Sequence, residues 1–408
     1  MKHGARQDAE VVVLFITNKK FDIPLPKDKG RGMMNPRERV AASLDHRVTD
    51  RPVIDLGGQS NTSLTQAAFD ALGRYWGSSD APAGVMARHF QTVEIPENYL
   101  LKFGVDVRGV KPGKPRISCE RTLPDGSFID YWGVTFTPAL GGTYYDISGN
   151  PLRTAEYDQL DDYHPFDPAD PGITDGVEER ARRAVDAGFA LIGNLTETQI
   201  FERAWYARGF DQFLMDLHLD KRFTHKLLRI VTDLQIRRVE QFLKKVGRYL
   251  SIVRISDDLA GQLSPLMSPE TYRELLKPYH REFFDSVRKL TDARIALHSC
   301  GNVRPLIPDI IDTGVQVLHP FQHCADAMEP AGLKREFGAD LVFWGGMDTQ
   351  KFLPNATPAE VRAEVRRITG IMCPKGGYIF SPTHNLQGDV PPKNVVAMYE
   401  EALKVRCG

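Results

Sequence analysis

Eight short β-rich runs, most of them separated by enough chain for a helix, constrain this sequence more than any other feature. They lie at residues 52–56, 105–110, 189–192, 251–255, 294–298, 315–319, 340–344 and 378–381. Strands that alternate with helical stretches pair in parallel through right-handed crossovers. Eight is the number that closes a (β/α)8 barrel. The clearest intervening helix starts at the capping residue Ser268, has Pro269 in its first turn and runs towards Leu290. The expected fold is therefore α/β, a TIM barrel. One segment breaks the alternation. Residues 113–166 hold β-rich runs around the turn Pro124, Asp125, Gly126, Ser127, and an Asp-Gly turn in that setting signals a hairpin. An antiparallel hairpin insertion after the second strand, folded over the barrel mouth, is expected there.

The fold should begin near Met33. Asn35 can cap a helix, Pro36 suits its first position and Glu38 sits three residues after the cap. Residues 33–408 are expected to form a single barrel domain, with the insertion at about 113–166. Residues 1–32, an apolar run followed by a Lys/Pro/Gly-rich stretch, are expected to be an N-terminal extension outside the barrel.

Composition excludes several function classes. A net charge of −1, with 42% hydrophobic and 26% charged residues, leaves no electrostatic footprint for nucleic acid or a membrane surface. No stretch approaches the roughly 18 apolar residues of a membrane span. The five cysteines are scattered, with no Cys-x-x-Cys pair. Such usage fits a reducing cytoplasm, where a thiol is a ligand, a nucleophile or packing rather than half of a disulfide.

In parallel barrels, chemistry collects at the carboxyl ends of the strands. Asp55 and Gly57 follow the first run here, Glu197 the third, and Asp257 with Asp258 the fourth. His298 and Cys300 end the fifth, Gln322 follows the sixth, Asp348 the seventh, and His384 with Asn385 the eighth. Together they describe a polar cavity that a purely structural barrel has no reason to build. Asp55, Gly57, Glu197, Gln322, Asp348 and Asn385 are the expected substrate contacts, although Asp348 alone could be a helix cap. Asp257, Asp258 and His384 are the expected catalytic groups. The two aspartates are adjacent, so only one can face the cavity, and the other should hold a loop or helix N-terminus. His298 and Cys300 point to the same side of an extended strand. An imidazole and a thiolate aimed at one point make half of a tetrahedral zinc site, or an acid/base beside a nucleophile.

These motifs resemble the uroporphyrinogen decarboxylase superfamily, over nearly the whole chain from Asn35 onward. The resemblance rests on the stretches beginning at Asn35, Pro52, Asp257, Ser268, His298 and Trp344, and on Ser381 to Asn394. It implies the same barrel fold. Decarboxylases of this superfamily carry an Arg-Gln-Ala-Gly-Arg signature for the porphyrinogen carboxylates. This first strand instead runs into Gln59, Ser60, Asn61, Thr62 and Ser63, with no arginine until Arg74. The strand ends read mostly as acids and neutral groups.

The chain is more similar to the corrinoid-dependent methyltransferase branch, whose His-x-Cys pair and a later cysteine hold zinc. His298 and Cys300 match the pair, and His384 stands where the later thiolate would be. The resemblance implies Zn2+ on the His298 and Cys300 pair; with His384 in place of the later thiolate, either His384 completes the site, with Asp257 in reserve, or the metal differs or is lost. It also implies a cytoplasmic demethylase of a small methoxylated or N-methylated compound. The methyl acceptor would be a corrinoid protein docked at the barrel mouth, beside the hairpin; a homodimer is the competing use of that hairpin. A uroporphyrinogen-type decarboxylase and a non-catalytic ligand-binding barrel are the alternatives.

Overall fold

The computed structural model describes residues 33–408 apart from 143 and 196–198, so the expected extension at 1–32 lies outside the described residues. Eight strands form one sheet: Val53–Ile54, Val107–Val110, Ala190–Asn194, Ile252–Ser256, Arg294–His298, Val317–Phe321, Val342–Met347 and Tyr378–Pro382. All their pairings are parallel. The fourth, sixth and eighth strands are buried at every position, as strands covered on both faces must be. The sheet is a nearly closed barrel, as its eight-run pattern predicts. Its two end strands, the first and second, meet through the Asp106 amide, which donates to the Ile54 carbonyl at 2.9 Å.

Side chains complete that closure. The Asp106 carboxylate is fully buried and accepts from the Ile54 amide (2.9 Å), Arg39 Nη1 (2.6 Å) and Arg51 Nη1 (2.7 Å). Arg39 belongs to the helix Pro36–Leu44, whose Asn35–Glu38 capping box forms as its sequence predicts. Asp50 holds the other edge of the same guanidinium at 2.7 Å. One buried acid therefore ties the first helix, the first strand and the second strand together.

Between the second and third strands lies a four-stranded antiparallel sheet, Arg121–Thr122, Phe128–Ile129, Thr135–Pro138 and Tyr145–Gly149. The Asp125 carboxylate accepts from the Ser127 amide at 3.0 Å in its first turn, and Phe128 stacks on Phe136 with centroids 4.9 Å apart. Asp130 accepts from the Trp132 and Val134 amides and pairs with Arg203 at 2.9 Å, which fastens this sheet to the helix Phe201–Arg208. A further antiparallel pair, Gly84–Ala87 with Thr92–Glu94, follows the first strand. The sequence reading did not anticipate it, because its strands are too short to show a periodicity. Among the described residues, no helix is long and apolar enough to cross a membrane.

Removing one member of a buried ion pair strands the other charges, at a typical cost of about 3–5 kcal/mol. Asp106→Asn leaves two guanidiniums without that partner and should destabilise the chain by about that amount, measured by chemical denaturation. A loss of less than about 1 kcal/mol would remove Asp106 from the closure of the barrel.

Candidate metal centre and substrate cavity

The fifth strand delivers His298, and one residue of extended chain beyond it delivers Cys300 on the same side. Cys300 Sγ lies 3.4 Å from His298 Nε2. His384, beyond the eighth strand, reaches across the mouth, and the ligand atoms of His298, Cys300 and His384 all lie within 4.8 Å of one another. Two ligands at roughly 2.1 and 2.3 Å from a tetrahedral zinc would be about 3.5 Å apart. The donor set suits a zinc ion, and the spacing of His298 and Cys300 matches one. Gly301 lets the chain turn away directly afterwards: its φ is +83°, and a Cβ there would sit 2.3 Å from the Gly261 carbonyl oxygen.

Each ligand has a partner that orients it. His298 Nδ1 and His319 Nδ1 share a hydrogen bond of 2.6 Å, which leaves His298 Nε2 towards Cys300. This is the outer-shell support that metal-binding histidines usually have. The Asn61 amide nitrogen sits 2.9 Å from His384 Nε2 and 3.4 Å from His298 Nε2. Arg254, in the fourth strand, donates to the Asn61 amide oxygen. Behind the thiol, Asp258 accepts from the Cys300 amide at 2.8 Å.

Burial governs the charge states. It holds His298 and His319 well below the usual imidazole range, with the Arg254 guanidinium adding to the effect, and takes His384 down to about 4. All three rings are neutral at pH 7, the form that binds metal. The Cys300 thiol is pushed well up by burial and then by the charges of Asp258 and Glu202. Glu202 is raised by burial and by the neighbouring Asp258 and Asp257, and burial takes Asp258 up to about 6.

Of the acid pair, Asp258 is turned towards the cluster, with Oδ1 3.6 Å from His298 Nε2. Asp257 is fully buried and accepts from the amides of Ile200, Phe201 and Glu202 at 2.7–3.1 Å, and from His280 Nε2 at 2.8 Å. It caps the helix that carries Glu202. The Asp348 carboxylate likewise accepts from the Gln350 and Phe352 amides. Asp55 is fully buried, bonded to the Gly58 amide and to Trp344 Nε1, and burial takes it up to about 6. Gly57 has a φ of +69° in the turn that follows, with its amide on the Thr62 carbonyl. Gln322 is buried between the Gly301 amide and the Gln262 side chain. Asn385 accepts from the Tyr144 hydroxyl at 2.7 Å, and its buried amide nitrogen has no partner among the described residues. Glu197 lies outside the described residues.

A cavity of about 550 Å³ is lined in part by Ser60 and by Arg254, the residue that bonds Asn61 beside the cluster. Its walls include Arg88, Lys111, Lys114, Arg203, Arg238 and Arg254. The mouth is therefore not poor in cations, contrary to the reading of the strand ends. Arg203 and Arg238 come from the helices Phe201–Arg208 and Lys221–Val246, and the lysines from the loop after the second strand. A survey of strand ends cannot see such positions. Glu202 was hidden for the same reason. Arg254 did leave a signal, a charge in the middle of an otherwise apolar strand, where an arginine is almost never buried without a task.

The depressed histidines have a consequence for stability. An unfolded chain protonates its histidines near pH 6.5, whereas folded His384 resists until about 4. Its contribution is therefore whole above pH 6.5 and is lost as the pH falls through 4. In metal-free protein each such proton steepens the loss by up to about 1.4 kcal/mol per pH unit. His384→Asn should flatten the fall between pH 6.5 and 4, measured by denaturation at a series of pH values. An unchanged slope would show that His384 titrates normally.

The sequence matches the family model described as Uroporphyrinogen decarboxylase (URO-D) over residues 135–405. It is 25% identical over 299 residues to the methylated-thiol–coenzyme M methyltransferase of Methanosarcina mazei, covering 70% of this chain and 72% of that protein. It is 26% identical over 148 residues to the methylcobamide:CoM methyltransferase of Methanosarcina barkeri, covering 36% and 40%. Relatives at comparable identity include uroporphyrinogen decarboxylases. A solved methyltransferase from Methanosarcina mazei superposes with a TM-score of 0.63 at 17% identity, covering 91% of this chain and 99% of that one. At that identity the likeness is one of fold. More than half of the chain falls within the matched family model, and the protein belongs to the uroporphyrinogen decarboxylase family.

Proposed function

We propose that this protein is a methyltransferase that moves a methyl group between a small methylated compound and the cobalt of a separate corrinoid protein. The observation that carries this reading is the convergence of His298, Cys300 and His384 at the mouth of a barrel whose relatives include methyltransferases. Zinc held by these three residues would act as a Lewis acid, lowering the pKa of a bound thiol or drawing electron density from a methylated heteroatom. Two neutral imidazoles beside one thiolate make the donor set less negative than one with two thiolates. That balance suits activation of a methoxylated or N-methylated donor.

The chain's own groups do the rest. His319 orients the His298 imidazole from its Nδ1 side, and the insertion roofs the cavity with Phe128, Tyr131 and Phe136. Asp258 and Glu202 stand where a proton is needed once the heteroatom has lost its methyl group. The corrinoid partner would approach the carboxyl rim, which makes the segment 116–138 either a border of that contact or a lid that shifts as it forms. The reading takes residues 1–32 as an extension that does not carry the activity.

A second reading, decarboxylation of a carboxylated substrate, draws support from the cationic cavity and the decarboxylase relatives. One pair of measurements separates the two. Purified protein should contain about one zinc per chain and should methylate a cobalt(I) corrinoid protein with at least one of a set of O-, N- and S-methyl donors, followed by the change in the corrinoid spectrum. Cys300→Ser should lose both metal and transfer. A metal-free chain that releases carbon dioxide from a polycarboxylate would favour the second reading and leave His298 and His384 as proton-transfer groups.

A further inference from the structure

The cavity beside the ligand cluster carries a charge imbalance that the proposed transfer does not use. Among the described residues its lining brings six cations together with two carboxylates, Glu120 and Asp130. Some of these are neutralised locally. Lys114 pairs with Glu120 at 2.5 Å, Lys111 with Glu94 at 3.5 Å, and Arg203 with Asp130 at 2.9 Å. Arg238 differs. Its Nη1 donates to the Leu195 carbonyl at 3.0 Å, its guanidinium lies 5.6 Å from the centre of the Tyr131 ring, and among the described residues no carboxylate pairs with it. Arg88 donates to the Thr122 hydroxyl and stacks 4.2 Å over Phe128, again without a carboxylate among the described residues.

Burial makes this imbalance informative. Arg203, Arg238 and Arg254 are 6%, 5% and 1% exposed. The Nε atoms of Arg203 and Arg238 are buried and have no hydrogen-bond partner among the described residues. A buried guanidinium with an unused donor is costly unless something accepts from it. Both guanidiniums line one cavity, Arg238 has no carboxylate partner among the described residues, and a planar guanidinium fork matches the two oxygens of a carboxylate. Arg254 lines the same cavity and bonds Asn61, the residue that touches His384 and His298.

We infer that the cavity selects a substrate bearing an oxyanion, of the carboxylate class, held by Arg238 and Arg203 while its reacting end faces the His298–Cys300–His384 cluster. The inference rests on the proposed function for the identity of that reacting end. The anion clamp itself stands on the cavity alone. A carboxylate there offsets the buried charge of Arg238, and its neutral amide does not.

The test compares 3-(methylthio)propanoate and methoxyacetate with their primary amides, by calorimetric binding to the full chain, both zinc-loaded and stripped with chelator. Each acid should bind at least about tenfold more tightly than its amide, the worth of one hydrogen bond to a charged group. Arg238→Gln should bring acid and amide to within about threefold, and Arg238→Lys should keep part of the preference, because the charge survives without the fork. Should Arg238→Gln fail to fold, the salt dependence of the wild type replaces it: acid binding should weaken with ionic strength while amide binding does not. Equal binding of acid and amide, an unchanged preference in Arg238→Gln, or no acid binding at millimolar concentration would each overturn the clamp. So would a preference found only in zinc-loaded protein, since the metal would then be holding the carboxylate. A preference found in zinc-loaded protein that methylates no cobalt(I) corrinoid protein would end the proposed function and leave the clamp standing.

Discussion

Everything at this mouth depends on parallel strands held in register around a closed sheet. Ser256 pairs with His298, and His298 pairs with His319, so these residues of the fourth, fifth and sixth strands stand at one level. That row puts the Asp257–Asp258 pair, the His298–Cys300 pair and His319 side by side without any special loop. The closing contact at Asp106 extends the effect around the ring. If the first and second strands parted, the loop after the first strand would no longer present Asn61 to His384, which arrives from the eighth. The buried Asp106 carboxylate is thus a condition of the Asn61–His384 contact.

The cluster couples charge to position. Arg254 is nearly inaccessible and bonded to Asn61, so a fixed positive charge stands beside three buried imidazoles. Burial already disfavours their protonation, and the cation disfavours it further. Neutral rings with free electron pairs are what a divalent metal requires. On the other side, burial first and then Asp258 and Glu202 keep the Cys300 thiol protonated, while an arriving metal would do the opposite. Metal uptake would therefore be linked to proton release at this residue. The arrangement places a proton, once freed, next to two acids already disposed to keep one.

Much of this was legible in the residues before any coordinates. The eight runs stand out because strands covered on both faces need continuous apolar side chains, and a helix must lie between parallel neighbours. His298 and Cys300 stand out because a strand's period of two fixes their common side. That one member of the acid pair would serve as a cap follows from adjacency, and Asp257 takes that role. What sequence could not supply is distance across the barrel. Whether the fifth and eighth strand ends approach closely enough to share an ion depends on barrel tilt and on the Ser381–Asn385 turn, neither of which leaves a pattern. The cationic cavity was missed for a related reason. Arg203 and Arg238 lie on helices, where an arginine reads as solvated surface until the helix is seen to run beneath an inserted sheet.

The insertion connects these two kinds of information. Asp130 organises its own turn through the Trp132 and Val134 amides and also pairs with Arg203. Tyr144 bonds Asn385, the residue after His384, and burial takes its hydroxyl up to about 12, so it stays a donor across the working pH range. The inserted sheet is thus tied at one point to the arginine side of the cavity and at another to the ligand side. A movement of that sheet would change the anion-binding wall and the His384 turn together. In the proposed function, substrate capture and the position of His384 would for that reason be mechanically linked, through contacts made by one segment and not through the barrel wall.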